Sequence, residues 1–178
     1  MTAGTTDLTL PVTALTADAF RPYGRVIELP SRDQDAAGPG WRWWAETELL
    51  PTDGRSFGVG YLDLDPSALG FDWAERHMRT VEAIVPLERE CLAYVGPPEH
   101  LDEPARMPEL EAFQVFRVPP GMGVVMDPGV WHGAPLATVR PTRAMVLILE
   151  GTGKHDVTIV RFEDRPVSIA PDDIGSER

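Results

Sequence analysis

The chain has 178 residues, a length that suits one domain, and 43% of them are hydrophobic, which excludes wholesale disorder. Its 28 acidic and 16 basic residues give a net charge of -12, which repels nucleic-acid phosphates and anionic membrane surfaces, so we expect neither as a partner. Cys91 is the only cysteine, which excludes an intrachain disulfide and a thiolate zinc knot and favours a reducing cytoplasm. Met1–Leu10 lacks the regions of a secretory signal, and no apolar run approaches about 18 residues, so we expect neither export nor a membrane span.

Short strands separated by turns are expected along most of the chain, because 18 Pro and 16 Gly interrupt long helices. Leu8–Pro11 is predicted to be extended, and Thr16 is predicted to cap a brief helix from Ala17 to about Arg21. A strand over Arg25–Leu29 and a polar loop over Pro30–Gly40 follow. We therefore expect a strand and helix extension over about residues 8–30 before the main body of the domain.

Two apolar segments in the next part of the chain are expected to be buried. Trp41, Trp43 and Trp44 cluster in a way that favours burial, with an interface as the alternative. Phe57–Leu64 carries apolar residues on both parities of a strand, which predicts that both of its sides are covered.

The rest of the chain predicts a mainly β sandwich or barrel with little helix, forming a single domain over residues 1–178. The connection Gly96–Glu109 is longer than most loops, and long loops often form the lids or rims of binding sites. The tail Pro171–Arg178 is expected to fray. The further strand candidates are Phe71–His77, Val81–Pro86, Cys91–Val95, Phe113–Val118, Gly123–Met126, Arg143–Leu149 and Val157–Phe162.

Two of the four histidines have neighbours that suit a metal site. On a strand over Phe71–His77, the side chains of Glu75 and His77 project to one face, and Glu82 opens the strand that returns after a tight turn. A third strand, ending in His132, can add a second imidazole, and such a ligand set suits Mn, Fe, Ni or Zn. The alternative, with about equal weight, is that the carboxylates are exposed charges and both histidines are satisfied core residues. The other two histidines, His100 and His155, are expected to be solvated surface residues.

Two motifs carry a resemblance to known proteins. Glu75-x-His77-x4-Glu82 resembles the first cupin motif, with Glu in place of its leading His, and Pro128-Gly129-Val130-Trp131-His132 resembles the end of the second. More narrowly, the chain is similar to the ureidoglycolate lyase family. The similarity runs through Leu15–Glu28, Glu75-Arg76-His77, Ala83–Leu87 and Gly129–His132, and on towards Asp156. It implies a cupin-like double-stranded β-helix, a jelly-roll barrel of the RmlC type with a few short helices.

This chain departs from the family pattern at three positions beside these motifs. Glu82 stands where the family usually has Gln, Met78 where it has Pro, and Gly133 where it has a second His. Glu82 improves the site as a ligand set for a divalent metal, because a carboxylate is a stronger ligand than an amide. The loss of the second His could remove a catalytic or substrate-positioning group, so the fold carries over more safely than the substrate.

The resemblance implies a metal-dependent lyase that releases urea and glyoxylate from the carboxylate substrate ureidoglycolate, a step of allantoin degradation in purine catabolism. It also implies a homodimer, to which the tryptophan cluster could contribute. The cofactor would be a divalent ion, Ni, Mn, Zn or Fe. Its expected ligands are Glu75, His77, Glu82 and His132. The expected catalytic residues are His77, His132 and Glu75, the last as a fourth ligand or as the general base.

Five residues are candidates for binding the substrate. They are Arg76, Arg79, Tyr94, Met126 and Trp131; strand parity turns Arg76 away from Glu75, and the last three could equally be core residues. Two other functions stay open. One is another metal-dependent cupin enzyme, an isomerase, hydrolase or oxygenase acting on a small hydroxy or keto acid, which the departures at Glu82 and Gly133 make credible. The other is a cupin that binds a small molecule without turnover.

Overall fold

A computed structural model describes residues 8–170 and has a mainly β fold. The predicted fraying of Pro171–Arg178 concerns residues outside this described part. The first strands in chain order are β1 (Thr9–Leu10), β2 (Val12–Ala14), β3 (Gly24–Ile27), β4 (Ala36–Gly38), β5 (Trp41–Trp43), β6 (Phe57–Leu64), β7 (Gly70–Phe71), β8 (Trp73–Arg76) and β9 (Glu82–Pro86). The remaining strands are β10 (Cys91–Gly96), β11 (Gln114–Val118), β12 (Gly123–Met126), β13 (Trp131–His132), β14 (Leu136–Ala137), β15 (Thr142–Leu149), β16 (Thr158–Arg161) and β17 (Val167–Ile169).

Helical structure is confined to short segments, as the density of Pro and Gly predicts. Helix α1 (Ala17–Phe20) lies where the sequence indicates, and the Thr16 hydroxyl accepts a hydrogen bond from the Ala19 N–H at 3.1 Å. Helix α2 (Thr152–His155) follows Gly151, which adopts a left-handed φ of 82° that favours glycine. A 3-10 turn covers Leu110–Ala112. The described residues contain no helix that is long and apolar enough to cross a bilayer.

Two sheets face each other and enclose the main core, which gives the cupin-like jelly roll that the family resemblance implies. The larger sheet has seven strands in the order β16-β8-β13-β10-β11-β2, with β14 also paired to β10. The second sheet has five strands in the order β3-β12-β9-β15-β6. A small third sheet, β1-β17-β7, and an isolated ribbon of β4 and β5 lie outside this pair.

Strand alternation divides the apolar side chains between the inside and the outside of the two-sheet body. On β10, Ala93 and Val95 pack in the inner core, while Leu92 and Tyr94 pack in a second core on the opposite face of that sheet. This second core also includes residues of β1, β7 and β17, the strands of the small sheet. A third, smaller core forms around Ala83 and Val125 on the five-stranded sheet.

One predicted strand is divided in two, which changes the face of one of its residues. Phe71–His77 was expected to be continuous, with Phe71 on the face of Glu75 and His77. In the structure, β7 pairs with β17 and β8 pairs with β16 and β13, and the chain bends at Asp72 between them. Phe71 consequently packs in the second core, stacked on Tyr94 with 4.0 Å between ring centroids.

The expectation that the tryptophan cluster is buried is wrong for two of its members. Trp41 is 53% exposed and Trp43 is 59% exposed, because both lie on the β4–β5 ribbon, which pairs with no other strand of the described part. Trp44 is half-buried, and its indole N–H donates to the Arg32 carbonyl at 3.0 Å. The ribbon also replaces part of the loop predicted over Pro30–Gly40.

The expectation that both sides of Phe57–Leu64 are covered is also wrong. Strand β6 lies at the edge of the five-stranded sheet, and Val59 and Tyr61 are exposed. Leu62 and Leu64 on the other parity pack in the inner core. Apolar residues on both parities therefore do not imply two covered faces when one face has no further layer of structure against it.

Candidate metal centre

Three strands and one turn bring the predicted ligands together between the two large sheets. Glu75 lies on β8 and is in register with His132 on β13, so both side chains project to the same inner side. His77 follows β8 directly. Glu82 is the first residue of β9 on the facing sheet, where it pairs with Met126 and Ile148. The spacing Glu75-x-His77-x4-Glu82 thus corresponds to the predicted strand, tight turn and returning strand.

The geometry of this cluster suits a single small cation. The ligand atoms of Glu75, His77 and His132 all lie within 4.8 Å of one another. Ligands about 2.0–2.2 Å from one ion are at most about 4.4 Å apart, so a shift of a few tenths of an ångström would bring the three onto a common ion. Glu82 contacts two of them, with Oε2 at 3.1 Å from Nε2 of His77 and 3.5 Å from Nε2 of His132.

Backbone carbonyls hold both imidazoles through their other nitrogen. Nδ1 of His77 lies 2.7 Å from the Asp156 carbonyl oxygen, and Nδ1 of His132 lies 3.0 Å from that of Val130. We assign the Nδ1 proton to these bonds, because a carbonyl only accepts. Each Nε2 then faces the carboxylates, which is the arrangement that metal-binding histidines use.

A buried ring nitrogen that lacks a hydrogen bond supports the fit to a metal. Nε2 of His132 is buried and forms no hydrogen bond with any described residue, although buried polar atoms almost always have a partner. The donor set of two imidazoles and carboxylate oxygens suits first-row divalent ions, which need such electron pairs. This cluster can therefore hold a metal ion, and the alternative of two satisfied core histidines does not account for His132.

The electrostatics of the metal-free cluster centre on Glu82. Burial opposes its ionisation, but the contacts with His132 and His77 outweigh this effect and lower the pKa of Glu82 to about 2. For His77, burial lowers the pKa, but Glu82, the Asp156 carbonyl and Glu75 together raise it above its usual value. The negative Glu82 therefore favours the protonated form of His77, and the two charges attract each other in the place that a cation would take.

Comparison with known proteins decides the family. The sequence model of the ureidoglycolate lyase family matches residues 7–170, nearly the whole chain. The chain belongs to the ureidoglycolate lyase family. No curated protein matches it. The family is one of lyases, so membership points to lyase chemistry, while the particular reaction has to be argued from the site.

Arg76 lies away from the ligand cluster, although it stands between Glu75 and His77 in sequence. Its guanidinium is fully buried on the outer side of the sheet, 4.6 Å from the centroid of the Trp131 ring. It donates to four backbone carbonyls of the long loop, those of Glu99, His100, Glu103 and Pro104, at 2.8–3.0 Å. Four of the five guanidinium N–H groups thus hold the loop, on the side of the sheet opposite the ligand cluster.

Tyr94 and Trp131 also lie behind the cluster, since both pack in the second core. Strand parity explains the outward position of Trp131, because the side chain of its neighbour His132 projects to the inner side of β13. Met126 belongs to the inner core and is the cross-strand neighbour of Glu82, so its position is compatible with the predicted wall role. Arg79 is exposed in the turn after His77, where its backbone N–H donates to Asp156.

Asp156 is the residue beside the cluster that the sequence reasoning assigned no role. It marked only the end of the family resemblance, but its backbone and side chain both contact the segment that starts at His77. No signal in its immediate neighbours predicts this contact, since the two segments are far apart in sequence and meet only because β16 pairs with β8.

Gly133, where the family resemblance leads one to expect a second His, has no room for any side chain. A Cβ at this position would lie 1.7 Å from the Tyr94 hydroxyl oxygen. That hydroxyl donates to the Trp73 carbonyl at 3.1 Å, and the Tyr94 ring is stacked on Phe71. The departure at Gly133 is therefore coupled to Tyr94, whose hydroxyl fills the space that a side chain would enter.

We expect Gly133→Ala to lower the free energy of unfolding by about 2–4 kcal/mol, because the Tyr94 hydroxyl must leave the Trp73 carbonyl and the packed ring must shift. Urea unfolding of the purified variant measures the change. Gly153→Ala is the matched control, since a Cβ there meets nothing within 4 Å. Equal midpoints for Gly133→Ala and the wild type would show that Tyr94 moves aside freely.

The Glu82–His77 pair predicts a pH window of stability for the metal-free protein. The contribution of Glu82 is present above its ordinary pKa of 4.5 and is lost as the pH falls towards 2. That of His77 is present below its ordinary pKa of 6.5 and is lost as the pH rises through its raised value. After chelation of any metal, the free energy of unfolding of wild type should exceed that of Glu82→Gln by up to about 3 kcal/mol. The difference should be largest between about pH 4.5 and 6.5.

Chemical denaturation at several pH values measures this difference. Glu163→Gln, which alters an exposed carboxylate 3.8 Å from Arg161, serves as the control and should show no such window. A difference between wild type and Glu82→Gln that stays constant from pH 3 to pH 8 would contradict the prediction.

Proposed function

We propose that this protein is a metal-dependent lyase that splits ureidoglycolate into glyoxylate and urea. The observation that carries the proposal is the convergence of the two Nε2 atoms of His77 and His132 with the carboxylates of Glu75 and Glu82, inside a member of this family. Nε2 of His132, which is buried without a hydrogen bond to any described residue, supports a metal ion, Ni, Mn, Zn or Fe, as its ligand partner.

His77, His132 and Glu82 would hold the ion, with Glu75 as a fourth ligand or as the general base. A bound divalent ion supplies Lewis acidity, which makes a hydroxyl group on the substrate more acidic. Glu75 is half-buried, whereas the other three are buried, so it is the carboxylate best placed to exchange protons with a substrate. Met126 would form an apolar wall beside Glu82.

The proposed reaction balances without a co-reactant. The substrate carbon carries a hydroxyl, a carboxylate and the ureido nitrogen. As Glu75 takes the hydroxyl proton, the C–O bond becomes a carbonyl and the C–N bond breaks, with its electron pair going to nitrogen. The proton returned by Glu75 to that nitrogen completes urea and leaves glyoxylate. Arg79, exposed in the turn after His77, is the remaining predicted cation for the substrate carboxylate.

The test is glyoxylate release from racemic ureidoglycolate by protein loaded separately with Mn, Ni, Zn or Fe, beside a chelated sample. Release that depends on the metal and exceeds the uncatalysed rate supports the proposal. Folded, metal-loaded protein that releases no glyoxylate with any of the four ions would overturn it.

A second candidate is another metal-dependent reaction, isomerisation, hydrolysis or oxygen-dependent cleavage of a small hydroxy or keto acid. The departure at Gly133 supports this candidate, because the Tyr94 hydroxyl fills the space beside Gly133 and the family's second His has no counterpart there. Dependence of turnover on oxygen and iron would support it. A cupin that binds such an acid without turnover would instead bind it tightly in calorimetry and convert none of it.

We also propose a homodimer of a single-domain chain in the cytoplasm. The exposed Val59 and Tyr61 on the edge strand β6 support an interface, since a long apolar edge strand tends to pair with another chain. The free, buried thiol of Cys91 suits a reducing compartment.

Light scattering tests the dimer. Wild type should have twice the chain mass, and so should Leu101→Glu, which changes an exposed apolar residue elsewhere, whereas Tyr61→Glu should have the monomer mass. A monomeric wild type would contradict the dimer.

A further inference from the structure

Asp156 contacts three consecutive residues at the end of β8, and it does so with both its backbone and its side chain. Its carbonyl oxygen lies 2.7 Å from Nδ1 of His77. Its carboxylate accepts the backbone N–H of Met78 at 3.0 Å through Oδ1 and that of Arg79 at 2.8 Å through Oδ2. One residue thus fixes the imidazole ring and the two peptide groups that follow it.

We propose that Asp156 is a positioning residue for the metal centre, which holds His77 so that its Nε2 faces Glu75, Glu82 and His132. The inference rests on the proposed metal-dependent function and deepens it, because it assigns how a ligand is held in place. Among residues 8–170, Asp156 bonds to the cluster only through His77 and the two residues that follow it.

The position of His77 explains why it needs such support. It lies just beyond the last paired residue of β8, Arg76, which is in register with Thr158 of β16. The sheet therefore does not fix the His77 ring. Its own carbonyl accepts the Gly129 N–H at 2.7 Å, which holds the backbone from the side of the β12–β13 turn. Asp156 holds the ring and the outgoing chain from the segment between α2 and β16.

The two parts of Asp156 have different effects on the ring. The carbonyl places the proton on Nδ1 and leaves the Nε2 electron pair for a metal. The carboxylate makes two charge-assisted hydrogen bonds, which keep the turn against α2 and so keep the carbonyl within reach of the ring. Asp156 directly follows the short helix α2, and its own N–H donates to the Thr152 carbonyl, so the clamp is anchored in the fold.

Removal of the carboxylate alone tests the proposal, because the carbonyl stays in the chain. In Asp156→Ala the Met78 and Arg79 N–H groups lose their acceptor, and we expect the affinity for Ni²⁺ or Co²⁺ to fall about 10- to 100-fold, as for the loss of other supports of metal ligands. Asp156→Asn keeps one acceptor oxygen but places a donor opposite the second N–H, so its affinity should be intermediate. Asp164→Ala, which removes an exposed carboxylate in a turn, is the matched control.

Calorimetry with the full chain gives the affinities, and the visible absorption of bound Co²⁺ reports the ligand field. A purely structural role for Asp156 would lower the melting temperature but leave the Co²⁺ spectrum of the folded variant unchanged. If Asp156→Ala does not fold, Asp156→Asn carries the same test. Wild-type affinity and an unaltered spectrum in the folded variants would overturn the proposal.

Metal affinity and glyoxylate release, measured on the same samples of wild type and Asp156→Ala, separate this inference from the proposed reaction. Wild type that binds metal tightly through this site but releases no glyoxylate would overturn the lyase proposal and leave the role of Asp156 intact. Wild type that releases glyoxylate, beside an Asp156→Ala variant that binds metal equally well, would overturn only the role of Asp156.

Discussion

His132→Ala should reduce metal-dependent glyoxylate release at least about 1000-fold in kcat/KM, the largest effect on activity that the site predicts. Nε2 of His132 is buried without a hydrogen bond to any described residue, and its nearest carboxylate oxygen, Oε2 of Glu82, lies 3.5 Å away, so its electron pair is available to a metal. Without it, Glu75, His77 and Glu82 remain as donors, and the cluster loses the imidazole that faces Glu82 from β13. Initial rates over a range of metal concentrations measure the loss.

His155→Ala is the control, because this histidine is exposed at the end of α2 and lies outside the ligand cluster. It should keep wild-type kcat/KM and metal affinity. Substitution of His132 leaves a cavity in a buried site, so the folded state of the variant must first be shown by circular dichroism. A folded His132→Ala variant with undiminished turnover would remove His132 from the metal centre and with it the basis of the proposed mechanism.

The ligand cluster could be predicted from sequence because its spacing has a geometric meaning. Glu75 and His77 are two residues apart on a strand, which places their side chains on one side. Four residues then form a turn, and the chain returns at Glu82. A third predicted strand added His132, in agreement with the resemblance to the second cupin motif; this residue lies more than 50 residues away in sequence but next to Glu75 in register. Short-range spacing and a family pattern thus cover the ligands themselves.

The support around the ligands could not be predicted in the same way. The carbonyls of Asp156 and Val130 that hold the two imidazoles are backbone atoms, which every residue carries and no sequence pattern marks. The close approach of Tyr94 to Gly133 depends on the stacking of Tyr94 with Phe71, which follows from the bend at Asp72.

The exposure of side chains is a second property that the alternation of apolar and polar residues along a strand does not determine. Apolar residues of β6 and of the β4–β5 ribbon are as hydrophobic as those of the core, but no layer of the described chain covers them. Conversely, Arg76 has the parity of an outward residue and is completely buried, because the long loop folds over it. Parity gives the side of a sheet, and tertiary packing decides whether that side is covered.

Arg76→Met should lower the free energy of unfolding by about 3–5 kcal/mol, the largest effect on stability that the structure predicts. Methionine fills much of the same volume beside Trp131, but it has no N–H groups for the four loop carbonyls that the guanidinium binds. Arg76→Lys should also be destabilised, though less, because one ammonium group cannot reproduce the planar fork of donors. Urea unfolding, with slopes compared between variants, measures both.

Arg106→Met provides the matched control in the same loop. Arg106 is exposed and pairs with Glu103 at 2.7 Å, so its loss should change the free energy of unfolding by no more than about 0.5 kcal/mol.

In folded Arg76→Met the loop should also become sensitive to chymotrypsin near Leu101, which is exposed and packs over the Gly129 turn. Since that turn holds the carbonyl of His77, release of the loop should reach the ligand cluster and weaken metal binding as well. An Arg76→Met variant as stable and as protease-resistant as Arg106→Met would mean that the loop is held by its own contacts, and that the buried guanidinium is not what keeps it in place.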